Sequence, residues 1–285
     1  MVKFSFKIHK KRDIIKIILG FIEYNFLNFS KNKDALYVLN YHGINLKFLK
    51  NFKFQIEHLK KEFEIINPNE INQIFKNKVN NNKPKLLITF DDCTKNILEA
   101  VNILEKKDIK CLFFIIPNFI DSNNKIDFYK KNIRSVINSN IENKKEDFEP
   151  ISWKDFKILI KKGNSIGSHS LSHKMNKKSS KNLIKEEILK SKIIIETKLG
   201  TKVNSFCSIN NSLSSINKYA AQIILNNYSY HFTTISGFNN VKNPRSIKRI
   251  NIEAYWTKYQ FLFSIGNIKN FIWTRKRRKI DDLMK

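Results

Sequence analysis

The sequence predicts an α/β fold with a parallel sheet, and three observations carry that expectation. Residues 85–90 form a short apolar run that stops on two adjacent carboxylates, Asp91 and Asp92, as a buried strand does when its C-terminal end opens into a crevice. Two more runs rich in β-formers, residues 35–44 and 110–116, lie before and after it, and stretches of helical spacing separate the three. Strand, helix and strand in alternation need crossover connections, which make neighbouring strands parallel. A chain of 285 residues, 41% hydrophobic and 12% aromatic with only 7 Gly and 5 Pro, has ample material for a core and lacks the composition of a disordered protein.

In chain order, residues 1–12 are basic and residues 14–29 mostly apolar, a pattern that looks at first like a signal segment. The apolar run is only about 16 residues, or roughly 24 Å as a helix. It is interrupted by Glu23, and no small-residue cleavage site follows. It is expected to be a helix that caps the domain or lies on a membrane surface, which places the chain in the cytoplasm or at the cytoplasmic face of the membrane. This defines a basic and apolar helical segment over 1–34, a domain over 35–268 and a basic tail over 269–285. Within the domain, the first strand ends on His42 before Gly43, and Phe52, Ile56 and Leu59 set a helix over 48–63, with a shorter one at 71–75. Leu98, Val101 and Leu104 continue the helical spacing after Asp92. Residues 117–150 loosen into Asn, Lys and Asp, as an insertion does where loops shape a substrate groove. Ser152 is placed to cap the next helix, which Gly163 ends.

The formal charge is +28, from 53 Lys and Arg against 25 Asp and Glu, which attracts nucleic acid, anionic lipid or acidic glycan. Most of it is Lys scattered through a chain crowded with Asn and Ile, so it is expected on solvated faces. No basic helix, stacking platform or binding motif accompanies it, and no specific nucleic-acid partner is expected. The densest cluster, residues 275–279, is expected to serve solubility or a membrane surface. Cys93, Cys111 and Cys207 form no CxxC pair, and their odd number argues against a disulfide framework.

Two stretches carry chemistry. Adjacent carboxylates are costly unless a cation sits between them or a proton is shared, so Asp91 and Asp92 point to a metal ion or to proton transfer, with an ordinary acidic turn as the bland alternative. Residues 164–173 are a short strand running into an HxxxH pair, His169 and His173, in a chain with only 6 histidines. Imidazoles at that spacing share one face if the segment turns helically, close enough to bind one divalent ion; otherwise they are surface residues of a polar turn. With Asp92 added, the set has two nitrogens and one oxygen and leaves a position open, the pattern of a catalytic zinc or similar ion.

Thr89-Phe90-Asp91-Asp92, Ile151-Ser152-Trp153, the run from Gly167 to His173, Glu186-Glu187-Ile188 and Leu199-Gly200 together resemble the polysaccharide deacetylases with a NodB-type homology domain. The resemblance implies a distorted (β/α)7 barrel, Asp91 as catalytic base, and Asp92, His169 and His173 as metal ligands. Tyr41-His42-Gly43-Ile44 is similar to a motif of the branch that includes deacetylases of biofilm poly-N-acetylglucosamine. That likeness implies His42 as the general acid, a role that suits an imidazole titrating near neutrality. His231 competes for the role, although its apolar neighbours favour a strand residue; His9 and His58 look like surface residues.

The chain departs from the family at two places. Cys93 stands where the family usually carries Gly, read as a tolerated replacement rather than a fourth ligand. Residues 206–211 replace an aromatic, Pro, Tyr, Gly run, so the oxyanion donor is expected to be the backbone N–H of Asn210. Arg249, in the closing segment, is the candidate to orient Asp91 and hold it ionised. The expectation is a divalent-metal enzyme, zinc first, that removes acetyl groups from an N-acetylated oligo- or polysaccharide or a lipid-linked glycan. An inactive glycan- or metal-binding relative and a basic membrane-surface protein are the alternatives.

Overall fold

The computed structural model describes residues 11–26, 32–76, 82–133, 144–240 and 245–285; His9 lies outside them. Among the described residues, nine strands form one sheet: β1 (Ala35–Tyr41), β2 (Glu64–Ile65), β3 (Lys85–Asp91), β4 (Leu112–Ile115), β5 (Ser165–Ser168), β6 (Ser205–Cys207), β7 (Tyr230–Phe232), β8 (Asn239–Asn240) and β9 (Ile250–Asn251). The main path runs β7-β6-β5-β4-β3-β1-β8, with β2 beside β3 and β9 beside β1. Apart from the antiparallel β1 and β8, every pairing is parallel.

The sheet curls until its ends meet. β9 pairs with β1 through Leu39 and Ile250, while Ile247, just ahead of it, bridges Phe232 of β7. The Ile247 N–H donates to the His231 carbonyl at 2.8 Å, and the Thr233 N–H to the Ile247 carbonyl at 2.7 Å. Residues 247–251 thus close the distorted barrel that the sequence leads one to expect. Because the strands are parallel, the C-terminal ends of β1, β3, β5, β6, β7 and β9 open at one rim, the rim where barrels of this kind keep their chemistry.

Side chains alternate across each strand, so the barrel wall has two buried faces. Tyr37, Leu39, Ile88, Phe90 and Phe113 pack outward in one cluster with the helical residues Phe52, Ile56, Leu59 and Val101. Leu36, Val38, Leu87, Leu112, Phe114 and Ile247 form a second cluster inside. On the same inward registers, one step nearer the rim, stand Asn40, Thr89, Asp91 and Arg249, all buried. The interior therefore changes from hydrocarbon to polar along a single side-chain period.

The helix Trp153–Lys161 begins as expected, the Ser152 hydroxyl accepting the Asp155 N–H at 3.2 Å, and Gly163 follows it at φ 92°. The expected insertion contains the short helices Pro117–Asp121 and Lys125–Phe128 and a wide turn at Tyr129–Ile133. The N-terminal helix Lys11–Phe26 lies across the helix Lys258–Ile265 at Gly20, where a Cβ would come within 2.0 Å of the Tyr259 carbonyl oxygen. No helix among the described residues is long and apolar enough to cross a membrane. Residues 269–285, expected as a tail, are largely helical over Asn267–Ile272 and Thr274–Leu283. The reason is a buried seam at Ile280 and Met284, four residues apart on one helix face.

Gly167 of β5 is a glycine for want of space, since an added Cβ would lie 2.5 Å from the Phe114 ring inside the barrel. Gly167→Ala is expected to lower stability by about 1–3 kcal/mol in urea unfolding, and a second substitution, Phe114→Leu, to recover part of the loss.

Candidate active site

The rim encloses a cleft of about 350 Å³ lined by Asp91, Asp92, His169, His173, His42 and Asn210, with Asn40, Tyr129, Ile133, Thr234, Arg249, Asn251 and Glu253 completing it. The two carboxylates at the end of β3 face different surroundings. Asp91 points inward, where Arg249 grips it end-on, Nη1 to Oδ1 and Nη2 to Oδ2, both at 2.7 Å. The Asn40 amide donates to Oδ2 at 3.1 Å. The guanidinium is saturated: its remaining N–H groups go to the Thr233 carbonyl, the Thr89 hydroxyl and the Cys207 sulfur, which accounts for all five of its donors. Its plane also lies over the Phe114 ring, 5.3 Å from the centroid. Burial alone would raise the Asp91 pKa, but Arg249, with His169 and then His42, reverses this and holds the carboxyl well below the usual range. Asp91 is ionised.

Asp92 and Cys93 both take left-handed conformations, φ 61° and 54°, which turn Asp92 away from its neighbour and into the cleft. Oδ1 of Asp92 stands 3.6 Å from Nε2 of His169 and 4.0 Å from Nε2 of His173. It is buried with no hydrogen-bond partner among the described residues, a costly state for a carboxylate oxygen. Nδ1 of His169 meets the Cys207 carbonyl at 3.2 Å and Nδ1 of His173 the Asn132 carbonyl at 2.7 Å. Carbonyls only accept, so the protons sit on Nδ1 and both Nε2 lone pairs face Asp92. Burial first pushes His169 down to about 4, against the pull of Asp91 and Asp92, and so keeps it neutral.

Three ligand atoms within 4.8 Å of one another, one of them an orphaned oxygen, fit a divalent cation. A second triple, Asp91, His169 and Cys207, is equally compact, but Arg249 already supplies its positive charge and burial raises the Cys207 thiol far above its ordinary pKa. Cys93 contributes nothing to either triple, its sulfur lying against the carbonyls of Phe90 and Phe114.

The expectation that His169 and His173 share a helical face is not met. The segment leaves β5 as a tight turn, with Ser170 at φ 66° and His173 at φ 59°. The Ser170 hydroxyl accepts the His173 N–H at 3.0 Å, and Glu187, buried on a helix, accepts from the N–H and hydroxyl of Ser172. Turn geometry brings the two rings to 5.2 Å between centroids. His42 is half-buried at the end of β1, on the cleft wall. Asn210, exposed at φ 50°, edges the cleft. His231 is a core residue, bonded to the Ser208 hydroxyl at 2.6 Å and the Arg245 carbonyl at 3.3 Å. His58 is half-buried against Phe54 and Phe261. Sequence reasoning missed Asn40 and Asn251; the signal for Asn40 was one amide in an otherwise apolar strand.

Residues 78–228, more than half of the chain, match the family model described as polysaccharide deacetylase. The chain belongs to the polysaccharide deacetylase family, whose enzymes are hydrolases acting on the amide bond of N-acetyl sugars. No curated protein sequence matches it. Among solved structures, the Streptococcus pyogenes deacetylase PplD in complex with acetate is similar at TM-score 0.65 and 18% identity, over 83% of this chain and 100% of that one. IcaB from Ammonifex degensii is similar at TM-score 0.63 and 17% identity, over 82% and 98%. The de-N-acetylase from Aggregatibacter actinomycetemcomitans is similar at TM-score 0.61 and 14% identity, over 83% and 99%. At these identities the likeness is one of fold.

Arg249→Ala leaves Asp91 buried without its cation and is expected to cost about 3–5 kcal/mol in chemical denaturation, with Asp91→Asn in the same chain restoring part of it. A second expectation concerns pH. Burial first, then the charges of Arg249 and Lys248, push His231 down to about 3, the Arg245 carbonyl opposing. The unfolded chain takes up this proton near the ordinary value of 6.5 while the folded chain does not, so stability falls as pH drops from there toward 3. Melting temperature followed across that window is expected to fall less steeply for His231→Gln than for the parent chain.

Proposed function

We propose that the chain is a metal-dependent deacetylase acting on an N-acetylated sugar of a surface polysaccharide or lipid-linked glycan. One observation carries the reading: the paired carboxylates at the end of β3 are divided, Asp91 held ionised by Arg249 and Asp92 left facing two imidazole lone pairs. The designations of the structural neighbours as deacetylase and de-N-acetylase support it.

Asp92, His169 and His173 would hold the cation, with zinc favoured by the two-nitrogen, one-oxygen donor set. When bound, the ion supplies Lewis acidity at the acetamide carbonyl and makes the attacking water acidic enough for a carboxylate as weakly basic as Asp91. Asp91 takes the proton of that water, and Asn40 and Arg249 keep its oxygens aimed. The backbone N–H of Asn210 holds the developing oxyanion. As the C–N bond breaks, His42 delivers a proton to the sugar nitrogen and acetate departs.

Acetate release from N-acetylhexosamine oligosaccharides by zinc-loaded protein tests the proposal. Asp91→Asn and His42→Gln are each expected to lower the rate by about 10²–10⁴-fold without loss of bound metal, whereas Asp92→Asn removes both metal and activity. A metal-loaded chain that releases acetate from no N-acetylated sugar would make it an inactive relative.

A further inference from the structure

We propose that the outer face of the N-terminal helix, together with the last two helices, docks the protein on an anionic lipid surface. A surface helix ordinarily turns polar residues outward. The helix Lys11–Phe26 buries Gly20 against its neighbour and presents Ile14, Ile15, Ile18 and Phe26 to solvent, 47–71% exposed. Of the twelve large hydrophobic side chains exposed among the described residues, eight belong to this helix or to the pair Phe271 and Ile272. The two segments are neighbours. Glu23 of the first helix accepts the N–H groups of Asn267 and Ile268, and Lys16 and Lys269 both lie over the Trp256 ring.

Cations surround this apolar surface. Lys11 and Arg12 start the first helix, and Arg275, Lys276, Arg278 and Lys279 follow Ile272 directly, all exposed. Arg277 alone in that run turns inward, to the carbonyls of Ser236 and Asn270, so the helix is anchored while its other cations face out. Apolar side chains within a basic rim match the acyl and headgroup layers of an anionic bilayer. A second copy of the chain is disfavoured because it would bring another +28 against the first. Nucleic acid is disfavoured because it would engage the cations and leave the aliphatic Ile14, Ile15, Ile18 and Ile272 in water. Glu253 at the cleft rim is three residues from Trp256, at most roughly 11 Å along the chain, so docking holds the cleft close to the headgroups.

The test is flotation of the full chain with phosphatidylcholine vesicles and with vesicles in which about a third of the lipid is phosphatidylglycerol. Tryptophan emission is followed in parallel, because Trp256 and Trp273, two of the three tryptophans, stand on this face. Binding and a blue shift are expected with the anionic vesicles only. Ile14→Ser with Ile18→Ser, and separately Phe271→Ser with Ile272→Ser, are each expected to lower partitioning by about tenfold or more. Each of Arg275→Gln, Lys276→Gln, Arg278→Gln and Lys279→Gln is expected to lower it by about fivefold. Phe271 is 82% exposed and Ile272 64%, so their substitution leaves the melting temperature unchanged and separates docking from folding. Activity on a soluble sugar is unchanged in every variant. Absence of binding, binding indifferent to both apolar pairs, or a lipid-free dimer abolished by the isoleucine pair would each overturn the proposal.

Discussion

The end-on pair between Arg249 and Asp91 is the constraint on which the rest of the site depends. Both groups are buried, and two charges removed from water repay their desolvation only if geometry and hydrogen bonding are complete. Here they are, because each guanidinium N–H finds an acceptor and Asn40 adds a donor to the carboxylate. Arg249 reaches that position only because residues 247–251 join β7 to β1. Closure of the barrel and ionisation of Asp91 are therefore one event.

The same closure separates two carboxylates that are adjacent in the chain. Strand alternation sends Asp91 inward, and two left-handed residues in succession swing Asp92 outward. A non-glycine residue in that conformation costs on the order of 1–2 kcal/mol. At Cys93 the burial of a small apolar side chain offsets much of it. This explains how the chain manages without a glycine at that position. The result is one carboxylate committed to Arg249 and another with a bare oxygen facing Nε2 of two imidazoles.

Away from the rim, charge and hydrocarbon are distributed unevenly. The barrel wall is buried on both faces, so its exposed apolar side chains collect on the helices added at the two ends of the domain. Glu23 joins the first of those helices to Asn267–Ile272, and the close crossing at Gly20 seats it on the helix Lys258–Ile265, which makes them one surface rather than loose appendages.

Much of this was legible in the chain. Apolar runs at 35–44, 85–90 and 110–116 located three strands because fully buried parallel strands are continuous in hydrophobicity. Asp91-Asp92 and the HxxxH pair located the chemistry because few other uses put those residue types together. Several features were not legible. The 269–285 helices were hidden by their charge, their docking resting on the buried Ile280 and Met284, the inward-turned Arg277 and an ion pair between Asp281 and Lys248. The turn at 170–173 was hidden because its left-handed residues are Ser and His, with no glycine to announce them. What the sequence determined by itself was where Asp91, Asp92 and the two histidines lie in the chain and which runs are the main buried strands, since both depend on local composition and period. Which carboxylate meets the arginine, which faces the histidines, and that His231 is core while His42 lines the cleft were decided by tertiary structure. Those outcomes depend on contacts such as that between Asp91 and Arg249, 158 residues apart, and only closure of the barrel brings such residues within hydrogen-bond reach.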